Sequence, residues 1–122
     1  MCGRIILNKK VITPGTIITT IIQGLKVNKT FGVNLGAGYS YNARSETWEK
    51  KWGTSDWHLC KIPVNGFMEG NHIFYGDFLL SGLYKGNNCL ILTQEAIPEV
   101  QPYHHRMPVI LNGEFSELLK AA

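Results

Sequence analysis

The stretch FLLSGLYKGNNCLILT, residues 78–93, contains the two clearest strand-forming runs of the chain. Phe78 to Tyr84 and Cys89 to Thr93 are rich in branched and aromatic side chains, which suit the pleated surface of a sheet. Gly86-Asn87-Asn88 separates the two runs, and these residue types favour turns. Pro108 to Leu111 forms a third run of the same character. The pattern predicts a chain folded mainly into short strands.

Helical segments are few. Glu46 to Trp52 is predicted to form one helix, with Ser45 as its N-cap, and Glu114 to Ala121 is predicted to form another. No internal repeat, low-complexity tract or linker divides the sequence. We therefore predict an α+β fold: a single β-rich domain over residues 1–122, with a mixed sheet and few short helices.

Length and cysteine usage restrict the class of protein. A chain of 122 residues can bury a core, and it contains no apolar segment long enough to span a bilayer. The first residues do not resemble a secretory signal, so we expect a cytoplasmic protein. The three cysteines form no C-x-x-C pair and are odd in number, which argues against a disulfide framework and a zinc site. Cys60 and Cys89 lie in apolar runs and are expected to be buried thiols.

Charge is distributed unevenly along the chain. The formal net charge is only +3, but no acidic residue precedes Glu46. That stretch contains six basic residues: Arg4, Lys9, Lys10, Lys26, Lys29 and Arg44. A locally basic segment favours a polyanionic partner, because cations neutralise phosphates and release counterions. A solvated basic face without a ligand is the alternative interpretation.

Cys2 follows the initiator methionine directly. If Met1 is removed, the thiol and a free α-amine belong to the same residue. An α-amine with a pKa near ~8 and a thiol near ~8.5 are both available as nucleophiles at neutral pH. An aldehyde can then react twice, since the amine forms an imine and the sulfur closes a five-membered thiazolidine ring. The alternative is a chance cysteine near a chain terminus.

The segment Asn42-Ala43-Arg44-Ser45-Glu46-Thr47 combines an amide and a guanidinium two residues apart. On an extended segment, Asn42 and Arg44 point to the same face. One of them can bind a phosphate while the other orients a reacting group. Taken in isolation, the segment is more simply explained as an ordinary junction between a strand and a helix.

Two further segments carry titratable groups. Glu69 follows the turn-forming pair Asn65-Gly66 and two apolar residues, so it can be half buried with a raised pKa; an exposed loop glutamate is the alternative. His104 and His105 precede an apolar run. Consecutive strand residues point to opposite faces, so we expect only one of these histidines to face a given site. A surface histidine pair is the alternative.

Taken in order, these motifs resemble the SOS response-associated peptidase (SRAP) family. The matching segments are Cys-Gly-Arg, Asn-Ala-Arg-Ser-Glu-Thr, Pro-x-x-Gly-Phe-x-Glu, Ile-Leu-Thr and His-x-Arg-Met-Pro-Val-Ile-Leu, which together span almost the whole chain. The resemblance implies a barrel-type mixed sheet. It also implies a cytoplasmic or nucleoid-associated protein that binds single-stranded DNA and crosslinks covalently to abasic sites through its N-terminal cysteine.

The resemblance assigns the chemistry to four residues. Cys2 corresponds to the crosslinking nucleophile, and Asn42 to the asparagine that holds the sugar adduct. Glu69 corresponds to the family's acidic residue and His104 to its histidine. In the implied mechanism, Glu69 moves protons as the imine forms, and His104 helps to open the sugar.

The resemblance also assigns DNA contacts. Arg4 and Arg44 correspond to arginines that hold phosphates, Thr93 to a DNA-contacting position, and Pro14 to a wall of the pocket. Phe31 stands where the family has a base-stacking tryptophan, and its smaller ring still offers a π-face.

The chain departs from the family in several places. The segment between Arg4 and Pro14 is too short for the family's early helix, and Gly66-Phe67-Met68-Glu69-Gly70 lacks two aromatic residues beside the carboxylate. These differences suggest a shortened, phage-encoded member, in the cytoplasm of its host. We expect a monomer that needs no cofactor or metal and binds abasic single-stranded DNA, not a membrane.

Three other activities stay open. The same residues become an abasic-site lyase if the imine loses the 3′ phosphate by β-elimination. A thiol peptidase, acting on its own leader, would use Cys2 as nucleophile with His104 and Glu69. A DNA-binding module would recognise single strands without crosslinking.

Overall fold

The computed structural model of this protein describes residues 4–53 and 56–112. The predicted helix from Glu114 to Ala121 lies outside these residues. The described part of the chain contains one helix, α1 (Trp48–Trp52), and the following strands: β1 (Ile5–Leu7), β2 (Lys10–Ile12), β3 (Ile17–Ile22), β4 (Leu25–Phe31), β5 (Val33–Asn34), β6 (Tyr39–Ser40), β7 (Asn42–Arg44), β8 (His58–Glu69), β9 (His72–Lys85), β10 (Asn88–Glu95), β11 (Arg106–Pro108) and β12 (Ile110–Asn112).

Most of the strands belong to one mixed sheet. β3 pairs with β4, β4 with β10, β10 with β9, β9 with β8, and β8 with β3, so these five strands form a closed circuit of pairings. The β4–β10 pairing is parallel and the other four are antiparallel. β1 and β2 extend the sheet beyond β8, while β7, β11 and β12 attach to β9 and β10. The prediction of a β-rich fold with a mixed sheet and few helices is confirmed.

The larger core cluster contains buried residues from all five strands of the circuit, two of which, β8 and β9, form a long hairpin. Phe67 on β8 stacks on Phe74 on β9 with ring centroids 5.2 Å apart, and Phe78 packs at 5.7 Å from Phe67. Burial of these large rings and of neighbouring branched side chains provides the main driving force for folding. A second, smaller cluster comprises Ala43, Trp57, Leu83, Leu90 and Leu92, and the tryptophans of α1 pack against it.

Cys60 and Cys89 are both free and buried, as predicted. Burial raises the pKa of each thiol to about 12, because the thiolate loses its hydration. Both groups therefore stay protonated at neutral pH and are poor nucleophiles.

Local backbone chemistry differs from the expectation at two places. Asn65-Gly66 lies inside β8 rather than in a turn, and the pairing with β9 shifts register between Val64 and Gly66. A Cβ on Gly66 would approach the Phe74 carbonyl oxygen to 2.6 Å, so glycine here permits close approach of two strands. The predicted strand from Pro108 to Leu111 is interrupted at Val109, whose N–H donates to the Leu92 carbonyl.

Helix α1 begins later than predicted. Its N-cap is Thr47, which makes no side-chain capping bond, so the prediction of Ser45 as N-cap is wrong. The Ser45 hydroxyl instead donates to Glu46 Oε1 at 3.2 Å. No helix in residues 4–53 and 56–112 is long and apolar enough to cross a membrane.

The space around Gly82 on β9 is too small for a side chain. A Cβ at Gly82 would lie 2.6 Å from Ile62 Cδ1 and 2.6 Å from the Leu90 carbonyl oxygen. Gly82→Ala should therefore lower the free energy of unfolding by about 1–3 kcal/mol, measured by denaturant titration. Ile62→Val deletes Cδ1, so Gly82→Ala should cost less in that background. Equal costs in both backgrounds would contradict the contact.

Candidate functional site

A cavity of about 610 Å³ lies beside β7, and we call it the β7 cavity. Three parts of the chain that are distant in sequence form its walls: the stretch 41–52, which contains β7 and α1, Thr93 on β10, and the stretch 104–106, where β11 begins. The lining residues are Tyr41, Asn42, Ala43, Arg44, Thr47, Trp48, Lys51, Trp52, Thr93, His104, His105 and Arg106.

Strand β7 positions the predicted amide and guanidinium. It pairs in parallel with β10, with Asn42 opposite Ile91 and Arg44 opposite Thr93. Ala43 is buried, whereas Asn42 is half buried and Arg44 is exposed. This alternation follows from the twofold repeat of a strand, and it confirms that Asn42 and Arg44 share a face.

Arg106 anchors the wall opposite β7. Its guanidinium is buried and donates from Nη1 to Glu46 Oε2 and from Nη2 to Glu46 Oε1, both at 2.8 Å. Nη2 also donates to the Thr93 carbonyl at 2.9 Å and to the Thr93 hydroxyl at 3.1 Å. Bidentate pairing of this kind is strong and directional. It ties β11 both to β10 and to the segment that leads into α1.

Glu46 loses its proton more readily than an ordinary glutamate because of this pairing. The hydrogen bonds from Arg106 lower the pKa of Glu46 from 4.5 to about 2. Its negative charge is therefore present at neutral pH and is matched by the buried guanidinium.

His104 and His105 both line the cavity, so the prediction that only one of them faces the site is wrong. The argument assumed a strand, but β11 begins only at Arg106. The two imidazole rings stack with centroids 4.4 Å apart and an interplanar angle of 24°. In this non-strand segment the side chains do not alternate, and the two rings contribute to the same wall.

The chemical state of His104 follows from its local contacts. The Arg106 backbone N–H donates to His104 Nδ1 at 3.0 Å, so Nδ1 must carry a lone pair and the ring proton lies on Nε2. Burial lowers the pKa of His104, because the imidazolium loses hydration. His104 is therefore a neutral imidazole at neutral pH.

Glu69 is fully buried at the end of β8, beside the segment that precedes His104. Burial raises the pKa of Glu69 to about 7, which confirms the predicted direction. A Cβ on Gly70 would lie 3.0 Å from the Tyr103 carbonyl oxygen, and the His72 ring stacks on Tyr103 at 4.0 Å. The β8–β9 turn therefore packs against residues immediately before His104.

The start of the described chain lies next to Glu69. The Arg4 carbonyl accepts a hydrogen bond from the Met68 N–H at 3.1 Å, and the Arg4 side chain is exposed. Cys2, the predicted nucleophile, lies outside the described residues.

The predicted DNA-contacting residues differ in accessibility. Phe31 is fully buried in the core, with its ring 6.4 Å from that of Tyr41, so the prediction that it stacks on a DNA base is wrong. Its strand turns it inward, opposite Cys89. Thr93 lines the cavity but its hydroxyl is engaged by Arg106, and its side chain is buried. Pro14 is half buried near Gly32 and does not line the cavity.

Sequence reasoning missed the contribution of α1. Trp48, Lys51 and Trp52 all line the cavity, and the spacing of the two tryptophans by four residues was the available signal. It also missed Glu46 and Arg106 as partners, although both lie inside the quoted motifs. Over the described residues, no group of three or more histidine, cysteine, aspartate or glutamate side chains is arranged to hold a metal ion.

These features define a small, mostly β protein whose cavity is lined by cations, imidazoles and indoles. No family model and no curated protein sequence matches the chain. The fold is similar to that of a phage-related protein from Bordetella bronchiseptica, with a TM-score of 0.61 and 20% sequence identity. The similarity covers 90% of this chain and 77% of that protein. At this identity, the similarity concerns the fold alone.

The Glu46–Arg106 pair generates a pH prediction. A carboxylate with a lowered pKa in the folded state stabilises the protein above its unfolded pKa of 4.5, and this stabilisation is lost as the pH falls towards about 2. Because the Glu46 side chain is 48% exposed and water screens the pair, Glu46→Gln should lower the free energy of unfolding at neutral pH by only about 1 kcal/mol and flatten its decline in acid. Denaturant titrations at several pH values measure both effects. Glu49→Gln on the exposed surface of α1 is the control and should keep the wild-type slope.

Proposed function

We propose that this protein binds single-stranded DNA and captures abasic sites covalently through Cys2, as a shortened SRAP-like protein. The observation that carries the proposal is the convergence of Asn42, Arg44 and His104 on one cavity. These residues belong to two motifs that are more than fifty positions apart in the sequence. The family resemblance assigns all three to the same site.

The electrostatics of the cavity suit a phosphate backbone. Arg44 and Lys51 line it and are exposed. Glu46 lies near the same wall, but its charge is matched by Arg106. The cavity therefore presents positive charge that can neutralise DNA phosphates and release counterions.

Capture begins with the ring-opened aldehyde of the abasic sugar. The Cys2 amine adds to C1′, the carbinolamine loses water to give an imine, and the Cys2 sulfur then adds to the imine carbon. One water is released overall, and the product is a thiazolidine. Cys2 is two residues before Arg4, and two residues of chain span at most about 7 Å. Capture requires the Cys2 amine to lie near Glu69, and this is supported by the start of the described chain, where the Arg4 carbonyl accepts a hydrogen bond from the N–H of Met68, the residue next to Glu69.

Glu69 and His104 suit the proton transfers that these steps need. A carboxyl group with a pKa of about 7 can take a proton from the amine and return it to the departing hydroxyl, which leaves as water, at neutral pH. Neutral His104 carries its proton on Nε2, so it can donate a hydrogen bond to the sugar ring oxygen as the ring opens. Asn42, on the same cavity, would hold the adduct.

The fold gives independent support. The closed circuit of five strands is compatible with the barrel-type sheet of the SRAP family. The structurally similar Bordetella protein is described as phage-related, which agrees with a phage-encoded origin.

Replacement of Cys2 tests the proposal. After intact-protein mass has established removal of Met1, the protein is mixed with single-stranded DNA that contains one abasic site. Wild type should give a heat-stable shifted band in denaturing electrophoresis, and Cys2→Ala should give none while binding DNA noncovalently within a few-fold of wild type. Cys60→Ala is the matched control, because Cys60 is a buried thiol that should not react, and it should crosslink normally.

Other outcomes identify the alternatives. A stable crosslink with Cys2→Ala would exclude the thiazolidine. Binding without any crosslink in wild type would favour the noncovalent module, and cleavage of a peptide leader that depends on Cys2 would favour the peptidase.

The raised pKa of Glu69 generates a further prediction. The logarithm of the wild-type crosslinking rate plotted against pH should bend near pH 7, and Glu69→Gln should be slower and lack this bend, because an amide cannot relay a proton. The stability of the same variant gives an independent readout. A raised carboxyl pKa makes folding less favourable as the pH rises from 4.5 through about 7, so Glu69→Gln should gain stability relative to wild type over this range. A wild-type pH profile in both assays would exclude Glu69 as the titrating group.

A further inference from the structure

We infer that Trp48 and Trp52 form a stacking surface for an unpaired DNA base next to the abasic site. This inference rests on the proposed function, since it names the part of the DNA that occupies one wall of the β7 cavity. The ligand is the flat π-face of a nucleobase in a single strand.

Helix geometry places Trp48 and Trp52 on one face of α1. Residues four apart lie on the same face of a helix, so Trp48 and Trp52 are neighbours along α1. Both side chains line the β7 cavity, and α1 contains no fully buried residue. Both tryptophans pack against the smaller core cluster but stay partly exposed where they line the cavity, so part of each ring is open to a ligand.

Trp57 supports this wall from behind. Its side chain is only 6% exposed, and its ring meets that of Trp52 edge to face with centroids 5.2 Å apart. Trp57 therefore belongs to the smaller core cluster, and it limits the orientations open to the Trp52 ring. A pre-oriented ring loses little freedom when a base stacks on it.

The surrounding charges identify a nucleic acid rather than another planar ligand. Lys51 lies between the two tryptophans in sequence, and Arg44 lies on the β7 wall of the same cavity. Surfaces for single-stranded nucleic acid combine aromatic rings, on which bases stack, with cations that follow the backbone. Both components occur here within one cavity.

The cavity also has room for such an occupant. Small-molecule sites in proteins typically have volumes of about 300–1,000 Å³, and the β7 cavity has about 610 Å³. Phe31 is buried in the core and cannot stack on a base. The indoles of α1 therefore take the base-stacking role that the family resemblance assigns to Phe31.

The test measures noncovalent binding to two labelled thymidine oligonucleotides by fluorescence anisotropy. Both carry a stable tetrahydrofuran analogue of an abasic site; in the second, the bases on either side of the analogue are also replaced by tetrahydrofuran. Trp48→Ala and Trp52→Ala should each weaken binding to the first oligonucleotide by about tenfold, and much less to the second, which has no neighbouring base to stack. Tyr75→Ala, an exposed aromatic residue on β9 outside the cavity, is the control and should bind both like wild type.

Trp48→Phe and Trp52→Phe keep a π-face with a smaller change in packing, and they should retain most of the discrimination between the two oligonucleotides. Thermal unfolding of every variant identifies any loss of the fold. If the alanine variants unfold, the phenylalanine variants replace them in the binding assay. A second measurement uses the wild-type protein: the first oligonucleotide should protect tryptophan fluorescence from quenching by acrylamide. Absence of that protection would overturn the inference.

Failure of this inference is distinguishable from failure of the proposed function. Wild-type protein that neither binds the oligonucleotides nor crosslinks to a true abasic site would refute the proposed function. If the wild-type protein crosslinks, and the tryptophan variants weaken binding to both oligonucleotides equally or to neither of them, only the stacking surface is refuted.

Discussion

Strand β10 is paired with four other strands, and the geometry of the β7 cavity depends on these hydrogen bonds. β9 and β11 run antiparallel to it, whereas β4 and β7 run parallel. The parallel pairing of β7 with β10 places Asn42 opposite Ile91 and Arg44 opposite Thr93. The antiparallel pairing of β11 with β10 places Arg106 opposite Glu95. Because backbone pairing fixes register residue by residue, Asn42, Arg44, Thr93 and Arg106 keep fixed positions relative to one another.

The buried guanidinium of Arg106 adds a second constraint. A buried charge is tolerated only when it is paired and hydrogen-bonded, and Arg106 meets this condition through Glu46 and Thr93. The same contacts match the charge of Glu46, while Arg44 and Lys51 line the cavity as exposed cations. The Glu46–Arg106 ion pair thus joins parts of the cavity wall and also offsets the negative charge of Glu46.

Burial has different consequences for the two interior cysteines and for Glu69. Cys60 and Cys89 are withdrawn into the core with a raised pKa and are chemically silent at neutral pH. Glu69 is equally buried, but its pKa of about 7 leaves it able to exchange protons under cellular conditions. The difference arises from the intrinsic acidity of the groups. Loss of hydration raises both pKa values, which brings the pKa of a carboxyl group closer to pH 7 and takes the pKa of a thiol further above it.

The sequence by itself determined the mixed β fold, the burial of both interior cysteines and the common face of Asn42 and Arg44, whereas it left Glu69 open between a buried and an exposed position. These properties depend on local composition, on the twofold repeat of a strand and on nearest neighbours. Only the tertiary structure decided that Phe31 faces the core, that His104 and His105 share one wall, and that α1 contributes its indoles to the cavity. Each of these depends on where a strand starts or which element packs against another, and local sequence patterns do not specify such long-range contacts.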